Sequence, residues 1–240
     1  CEPHVQGLCR MLVALGARIQ GIGTNTLEIH GVRDLWGGEH RIGADYLEVG
    51  SFIGLAAVTK SELTIHDVRP EDMRMIRLVF AKLGVNFEMS DGRIYVPPDQ
   101  KLEIRHDWDN QVPKIDDAPW PMFPTDMMSV AITVATQSAG TVIFFEKMFD
   151  GRMFFTDSLV AMGAKVILCD PHRVVVNGPA ALRAATLESP DVRAGMALLI
   201  AALCAKGEST IYNIRHIDRG YEAIEEKLQA LGAKIERLPA

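Results

Sequence analysis

The sequence has no apolar run of the roughly 18 residues that a membrane-crossing helix needs. Its longest, Met196 to Ala205, suits one buried helix, and no membrane partner is expected. Cysteine is scarce: Cys1, Cys9, Cys169 and Cys204 form no CxxC and no metal-ligand spacing. Cys9 and Cys204 fall in helical apolar patterns, where a thiol serves as a small core hydrophobe, so the chain reads as one from a reducing, cytoplasmic compartment. Cations are not in excess. Lys and Arg number 25 against 31 Asp and Glu, a formal charge of −6, which excludes a general nucleic-acid binder but leaves room for a local pocket for a small anion. There is no GxGxxG, no P-loop and no GxSxG, so Rossmann hydride transfer, P-loop phosphoryl transfer and α/β-hydrolase chemistry are disfavoured. His66, His106, His172 and His216 share no ligand spacing, and no metal is expected. A signal or transit signature is lacking too. The chain opens on Cys-Glu-Pro-His and runs straight into an amphipathic helix, as the interior of a longer protein, or one that has lost a piece, would.

What is present is a repeat. One phrase closes four predicted helices: Leu15-Gly16-Ala17-Arg18-Ile19, Leu83-Gly84-Val85-Asn86-Phe87, Met162-Gly163-Ala164-Lys165-Val166 and Leu231-Gly232-Ala233-Lys234-Ile235. The Gly suits the residue just past a helix C-terminus, where positive φ is cheap only for Gly. The period is about 70 residues, too long for a solenoid. About 20 residues before that Gly, Leu63-Thr64-Ile65, Thr141-Val142-Ile143 and Ser209-Thr210-Ile211 each follow a helix rich in small residues. The unit reads helix, strand, helix, strand, strand. Its hairpins turn at Ser90-Asp91-Gly92 and Asp170-Pro171-His172. Three full copies start near Asp45, Thr125 and Asp191. A headless copy with the hairpin Gln20–Ile29 occupies residues 1–35, and Gly37-Gly38 marks a turn or a crossing between lobes.

The two helices of a unit differ. Met196–Ala205 is apolar all round and belongs inside. Tyr221–Leu231 carries Ile224, Leu228 and Leu231 on one face and Glu222, Glu225 and Glu226 on the other, as a half-exposed helix does. The expected architecture is α/β, with buried inner helices and outer sheets.

Each unit opens on a polar cluster before its inner helix: Gly43-Ala44-Asp45, Phe123-Pro124-Thr125-Asp126, and Ser189-Pro190-Asp191-Val192-Arg193. Helix capping explains such residues. Asp126 also follows a stiff loop with three prolines, Trp120 and Phe123, so it reads either as a cap or as a carboxylate walled by aromatics that takes a proton from a hydroxyl. Arg152, Arg193 and Arg219 stand near predicted helix starts, where a cation opposes the helix dipole. Two readings stay open: an anion shared by guanidiniums and helix N-termini, or surface arginines such as an Arg219 pair with Asp218 or Glu222. The first predicts that removing Arg193 or Arg219 leaves the melting temperature unchanged or slightly higher.

At Phe123-Pro124-Thr125-Asp126-Met127 and His216-Ile217-Asp218-Arg219-Gly220-Tyr221-Glu222 the chain resembles the UDP-N-acetylglucosamine 1-carboxyvinyltransferases, a branch of the enolpyruvyl transferases. The likeness extends through Gly21-Ile22-Gly23-Thr24-Asn25-Thr26-Leu27, His40-Arg41-Ile42 and Val68-Arg69-Pro70. It implies a two-lobed inverse α/β barrel of βαβαββ-type units. Residues 1–43 would end the first lobe and 44–240 would make most of the second, its units starting near 45, 125 and 191. The implied reaction moves the enolpyruvyl group of phosphoenolpyruvate to the 3-hydroxyl of UDP-N-acetylglucosamine, releasing phosphate through a tetrahedral adduct, as the first committed step of peptidoglycan synthesis. No cofactor is implied. Asp126 would deprotonate the hydroxyl, Thr125 and Met148 would line the sugar site, and Arg152, Arg193 and Arg219 would face the carboxylate and phosphate of phosphoenolpyruvate, with Asp126 and Arg219 catalytic. The family's reactive cysteine lies in a preceding part that none of these four cysteines matches, so this chain alone is expected to be inactive without that partner part. The segment Ile42-Gly43-Ala44-Asp45-Tyr46 departs from the commoner Leu-Pro-Asp-Arg. The alternatives are the sister branch acting on shikimate 3-phosphate, which the Phe-Pro-Thr-Asp loop disfavours, and a non-catalytic half-protein acting as a binding module.

Overall fold

The computed structural model describes residues 1–238. The chain begins with α1 (Pro3–Ala14) and the antiparallel hairpin β1 (Arg18–Gln20) and β2 (Glu28–His30). An exposed irregular stretch holding Gly37-Gly38 leads to α2 (Tyr46–Thr59), β3 (Leu63–Ile65), α3 (Arg74–Lys82), β4 (Glu88–Ser90) and β5 (Arg93–Val96). The second unit holds β6 (Lys114–Asp116), α4 (Met128–Ala135), β7 (Gly140–Phe145), α5 (Thr156–Ala161), β8 (Lys165–Asp170) and β9 (Arg173–Gly178). The third holds β10 (Thr186–Glu188), α6 (Val192–Cys204), β11 (Thr210–Tyr212), α7 (Arg215–Asp218) and α8 (Ile224–Ala230).

The sheets run β3-β5-β4, β6-β7-β9-β8 and β10-β11. β6 is parallel to β7 and β10 to β11, each joined through an inner helix, as a parallel pair requires. The hairpins fall where turn chemistry puts them: Asp91 (φ 49°) and Gly92 (φ 72°) make the two-residue turn between β4 and β5.

The inner helices α2, α4 and α6 are buried on nearly every face and pack against one another pairwise. Small residues allow it. A Cβ on Gly54 would lie 3.0 Å from Val130 and 3.1 Å from Val134, and one on Gly50 would lie 2.7 Å from Met127. The second helices bury one face only, through Ile76, Val79 and Phe80 on α3 and Ile224 and Leu228 on α8.

The predicted helix Tyr221–Leu231 is shorter than its sequence suggests. Ala223 adopts a left-handed conformation (φ 46°), α8 starts only at Ile224, and Leu231 is exposed. The break lets Tyr221 drop into the core, where its hydroxyl meets Ser51 Oγ at 2.8 Å. No helix among the described residues is long and apolar enough to cross a membrane.

The four repeat glycines all have positive φ, but their surroundings differ. A Cβ on Gly84 would sit 2.3 Å from Glu103 N and 2.7 Å from its carbonyl oxygen, whereas Gly232 has nothing within 4 Å. Gly232→Ala should therefore cost only the conformational strain of about 1–2 kcal/mol. Gly84→Ala should add overpacking of about 1–3 kcal/mol against a backbone that cannot turn aside. Urea denaturation midpoints of the two variants check the order.

Candidate active site

The starts of α2, α4 and α6 meet at one end of the helical core, and their opening residues behave differently. Asp45 and Asp191 cap. Asp45 accepts from Leu47 N at 2.8 Å, and Asp191 accepts from Arg193 N and Ala194 N at 2.8 and 2.9 Å. Asp45 also meets His4 Nε2 at 3.2 Å. Burial pushes the Asp45 carboxyl up, but His4 and the Leu47 N–H outweigh it and hold it below its ordinary value.

Asp126 caps nothing. It lies in the 3-10 turn Thr125–Met127 that precedes α4, and neither this turn nor α4 has a side-chain cap. Its carboxylate is gripped by two guanidiniums: Arg152 Nη1 donates to Oδ1 at 2.8 Å, and Arg193 Nε donates to Oδ2 at 3.1 Å. The expected aromatic wall is not what surrounds it. Phe123 is in the core, and Trp120 packs edge-on against Tyr46 with ring centroids 5.3 Å apart.

Packing holds both arginines. The Arg152 guanidinium lies over the Phe149 ring at 4.6 Å, and Arg193 lies over Tyr221 at 5.6 Å. Arg193 is 15% exposed and its Nη1 is buried without an acceptor. Burial pulls its pKa down, yet Tyr221 and Asp126 raise it overall. Arg219 is exposed and makes no ion pair among the described residues. It follows α7 at its C-terminal cap instead of opening a helix, which corrects the expectation that it opposes a dipole. The pair with Asp218 does not form, because Arg237 takes Asp218 at 2.7 Å and Glu225 at 2.6 Å. Its neighbour Gly220 is what lies against the cluster: a Cβ there would lie 3.4 Å from Arg193 Nη1.

Thr125 and Met148 converge on a residue that sequence reading passed over. Thr125 Oγ1 donates to Glu146 Oε2 at 2.7 Å, and Met148 N donates to Glu146 Oε1 at 2.9 Å. The signal was there: Val142, Phe144 and Glu146 alternate along β7 as its inward face, and all three are buried. Burial first, and then Asp117, push the Glu146 carboxyl up to about 7 against the donors Thr125 and Met148 N. The enclosed space behind Thr125 and Glu146 is about 10 Å³, room for at most one water. The arrangement offers an anion two or three guanidiniums, and it offers a hydroxyl a carboxylate between them.

The family model described as EPSP synthase (3-phosphoshikimate 1-carboxyvinyltransferase) matches residues 1–228. The chain belongs to this family, the enolpyruvyl transferases. It is 55% identical over 235 residues to the UDP-N-acetylglucosamine 1-carboxyvinyltransferase of Treponema denticola, covering 98% of this chain and 55% of that protein. It is 56% identical over 238 residues to the enzyme of the same name from Bradyrhizobium diazoefficiens, covering 99% and 55%. The chain thus spans about half the length of the curated relatives it matches. The crystal structure of the enolpyruvyl transferase NikO from Streptomyces tendae superposes with a TM-score of 0.83 at 24% identity, over 100% of this chain and 55% of that one. The fold is that of the inverse α/β barrel, as the resemblance implied.

The paired Arg193 reverses the stability expectation for that residue. Arg193→Ala removes a largely buried cation from a carboxylate that keeps Arg152, and should cost about 1–3 kcal/mol. Arg219→Ala should stay within about 0.5 kcal/mol. Denaturant unfolding of both variants separates a packed arginine from an unpaired one.

Proposed function

We propose that the protein carrying this chain transfers the enolpyruvyl group of phosphoenolpyruvate to the 3-hydroxyl of UDP-N-acetylglucosamine and releases phosphate, serving peptidoglycan synthesis in the cytoplasm. The single observation that carries the reading is the Asp126 carboxylate clamped between Arg152 and Arg193. It is supported by relatives at 55–56% identity that bear the UDP-N-acetylglucosamine name. That name also favours this branch over the one acting on 3-phosphoshikimate. In this reading residues 1–43 belong to one lobe and 44–240 to the other, with the cleft between them.

The chemistry follows from a change of partners. Carboxylate and phosphate both suit guanidinium forks, so phosphoenolpyruvate draws Arg152 and Arg193 off Asp126, with Arg219 as a third cation. Asp126, with its oxygens freed from the guanidiniums, takes the proton of the sugar hydroxyl held beside Thr125 and Met148. The hydroxyl oxygen bonds to C2 of phosphoenolpyruvate as the C2–C3 double bond opens and C3 takes a proton from water. The adduct then returns a C3 proton to water as the C2–O bond to phosphate breaks, restoring the double bond, and the phosphate leaves with the proton that Asp126 had taken. Anion binding and the freeing of the carboxylate are thus one event.

The test is phosphate release from phosphoenolpyruvate by the full protein, which should require UDP-N-acetylglucosamine. Asp126→Asn should lower kcat by about 10²–10⁴-fold without raising KM for phosphoenolpyruvate, since the arginines lose a competitor. Release driven by shikimate 3-phosphate would assign the other branch. Unchanged kcat in Asp126→Asn would remove Asp126 from the chemistry.

A further inference from the structure

Behind the clamp lies a second pair of carboxyl groups that the reaction above does not use. β6 and β7 are parallel neighbours with Ile115 opposite Phe144 and Asp116 opposite Phe145. One step further sets Asp117 opposite Glu146. Both continue the inward faces of their strands, and both are fully buried at 0% exposure. Asp117 is close enough to push the Glu146 carboxyl up.

The donors around them are few. Asp117 Oδ1 accepts from Lys147 N at 2.6 Å. Glu146 Oε2 accepts from Thr125 Oγ1 at 2.7 Å, and Oε1 accepts from Met148 N and Phe149 N at 2.9 and 3.1 Å. Asp117 Oδ2 is buried with no donor among the described protein groups. The neighbouring charged groups are engaged elsewhere. Lys147 Nζ and Lys114 Nζ go to Asp116, Arg173 to Asp170, Arg152 to Asp126, and Asp191 caps α6. His172 bonds the Glu146 backbone carbonyl through Nδ1 and Asp150 through Nε2. Two buried carboxylates with no cation cannot both stay ionised. A proton held between them supplies the donor that Asp117 Oδ2 lacks.

The pair also joins two loops. Asp117 and Thr125 belong to the segment that carries Asp126. Glu146, Met148 and Phe149 belong to the segment that carries Arg152. We propose that Asp117 and Glu146 are a positioning pair that shares one proton, locks these two segments together, and so sets the affinity of the site for the nucleotide sugar. The proposal rests on the reading that Thr125 and Met148 face that sugar.

Loss of the proton should loosen binding and not chemistry. Glu146 is pushed up to about 7 from its ordinary 4.5. A raised carboxyl favours the fold fully below the ordinary value, and that contribution is lost as pH rises through the folded value. If only the protonated pair binds, KM for UDP-N-acetylglucosamine should rise roughly tenfold between about pH 6 and about pH 8, with kcat changing far less. Asp117→Asn replaces the shared proton with an amide donor of the same shape. It should flatten that rise and leave kcat within about twofold. Glu146→Gln turns an amide donor toward Thr125 and should raise KM for the sugar at every pH.

Two readouts need no substrate. In infrared spectra a protonated-carboxyl carbonyl band should disappear near neutral pH in the wild-type protein and be missing from Asp117→Asn. The melting temperature should fall as pH rises from about 4.5 to about 7 in wild type and not in the variant. A KM that ignores pH in an active wild-type enzyme, or an Asp117→Asn variant that keeps the wild-type slope, overturns the proposal. So does the absence of the titrating band, even if the variant fails to fold. Lack of activity toward the sugar with the band present would count against the proposed function and leave the shared proton standing.

Discussion

Three helices buried from all sides impose the constraint on which the other features depend. A helix can be enclosed that way only if its own ladder satisfies its backbone and its neighbours approach closely. Gly50, Gly54, Ala131, Ala135, Ala197 and Ala201 provide that closeness. Once α2, α4 and α6 lie side by side, each connection must return outside, and parallel strand pairs with crossing helices result. The same packing brings their N-termini to one end, so the polar openings of three separate units become neighbours. Asp126 and Arg193, 67 residues apart, touch for that reason.

The cluster is balanced by unequal caps. Asp45 and Asp191 satisfy the starts of α2 and α6 and stay there. Asp126, at the equivalent place before α4, leaves its helix and meets guanidiniums instead. A carboxylate released from capping is free to change partners, whereas one serving a helix end would unravel that end by doing so.

Much of this was legible in the residues. The repeat, the hairpins and the buried first helices follow from phrases such as Leu-Gly-Ala and from apolar periodicity. Capping could not be told from chemistry at Asp126, because both ask for a carboxylate just before a helix; its partners, Arg152 later in the same unit and Arg193 in the next, are set by the fold. The interruption at Ala223 is invisible in a sequence with good helix formers around it, and only the burial of Tyr221 accounts for it. Glu146 was readable as a charged residue in an inward strand position, yet its counterpart Asp117 required the register of β6 against β7.

Arg237 shows how an electrostatic neighbour can act by occupation. Its guanidinium engages Asp218 and Glu225 together, leaving the adjacent Arg219 without a competing carboxylate from that turn. Arg237 thus behaves as a decoy, holding the carboxylate of Asp218 that stands next to Arg219 in the chain. The freedom of Arg219 is thus tied to the chain that follows α8, through a residue that pairs with neither Asp126 nor its two arginines.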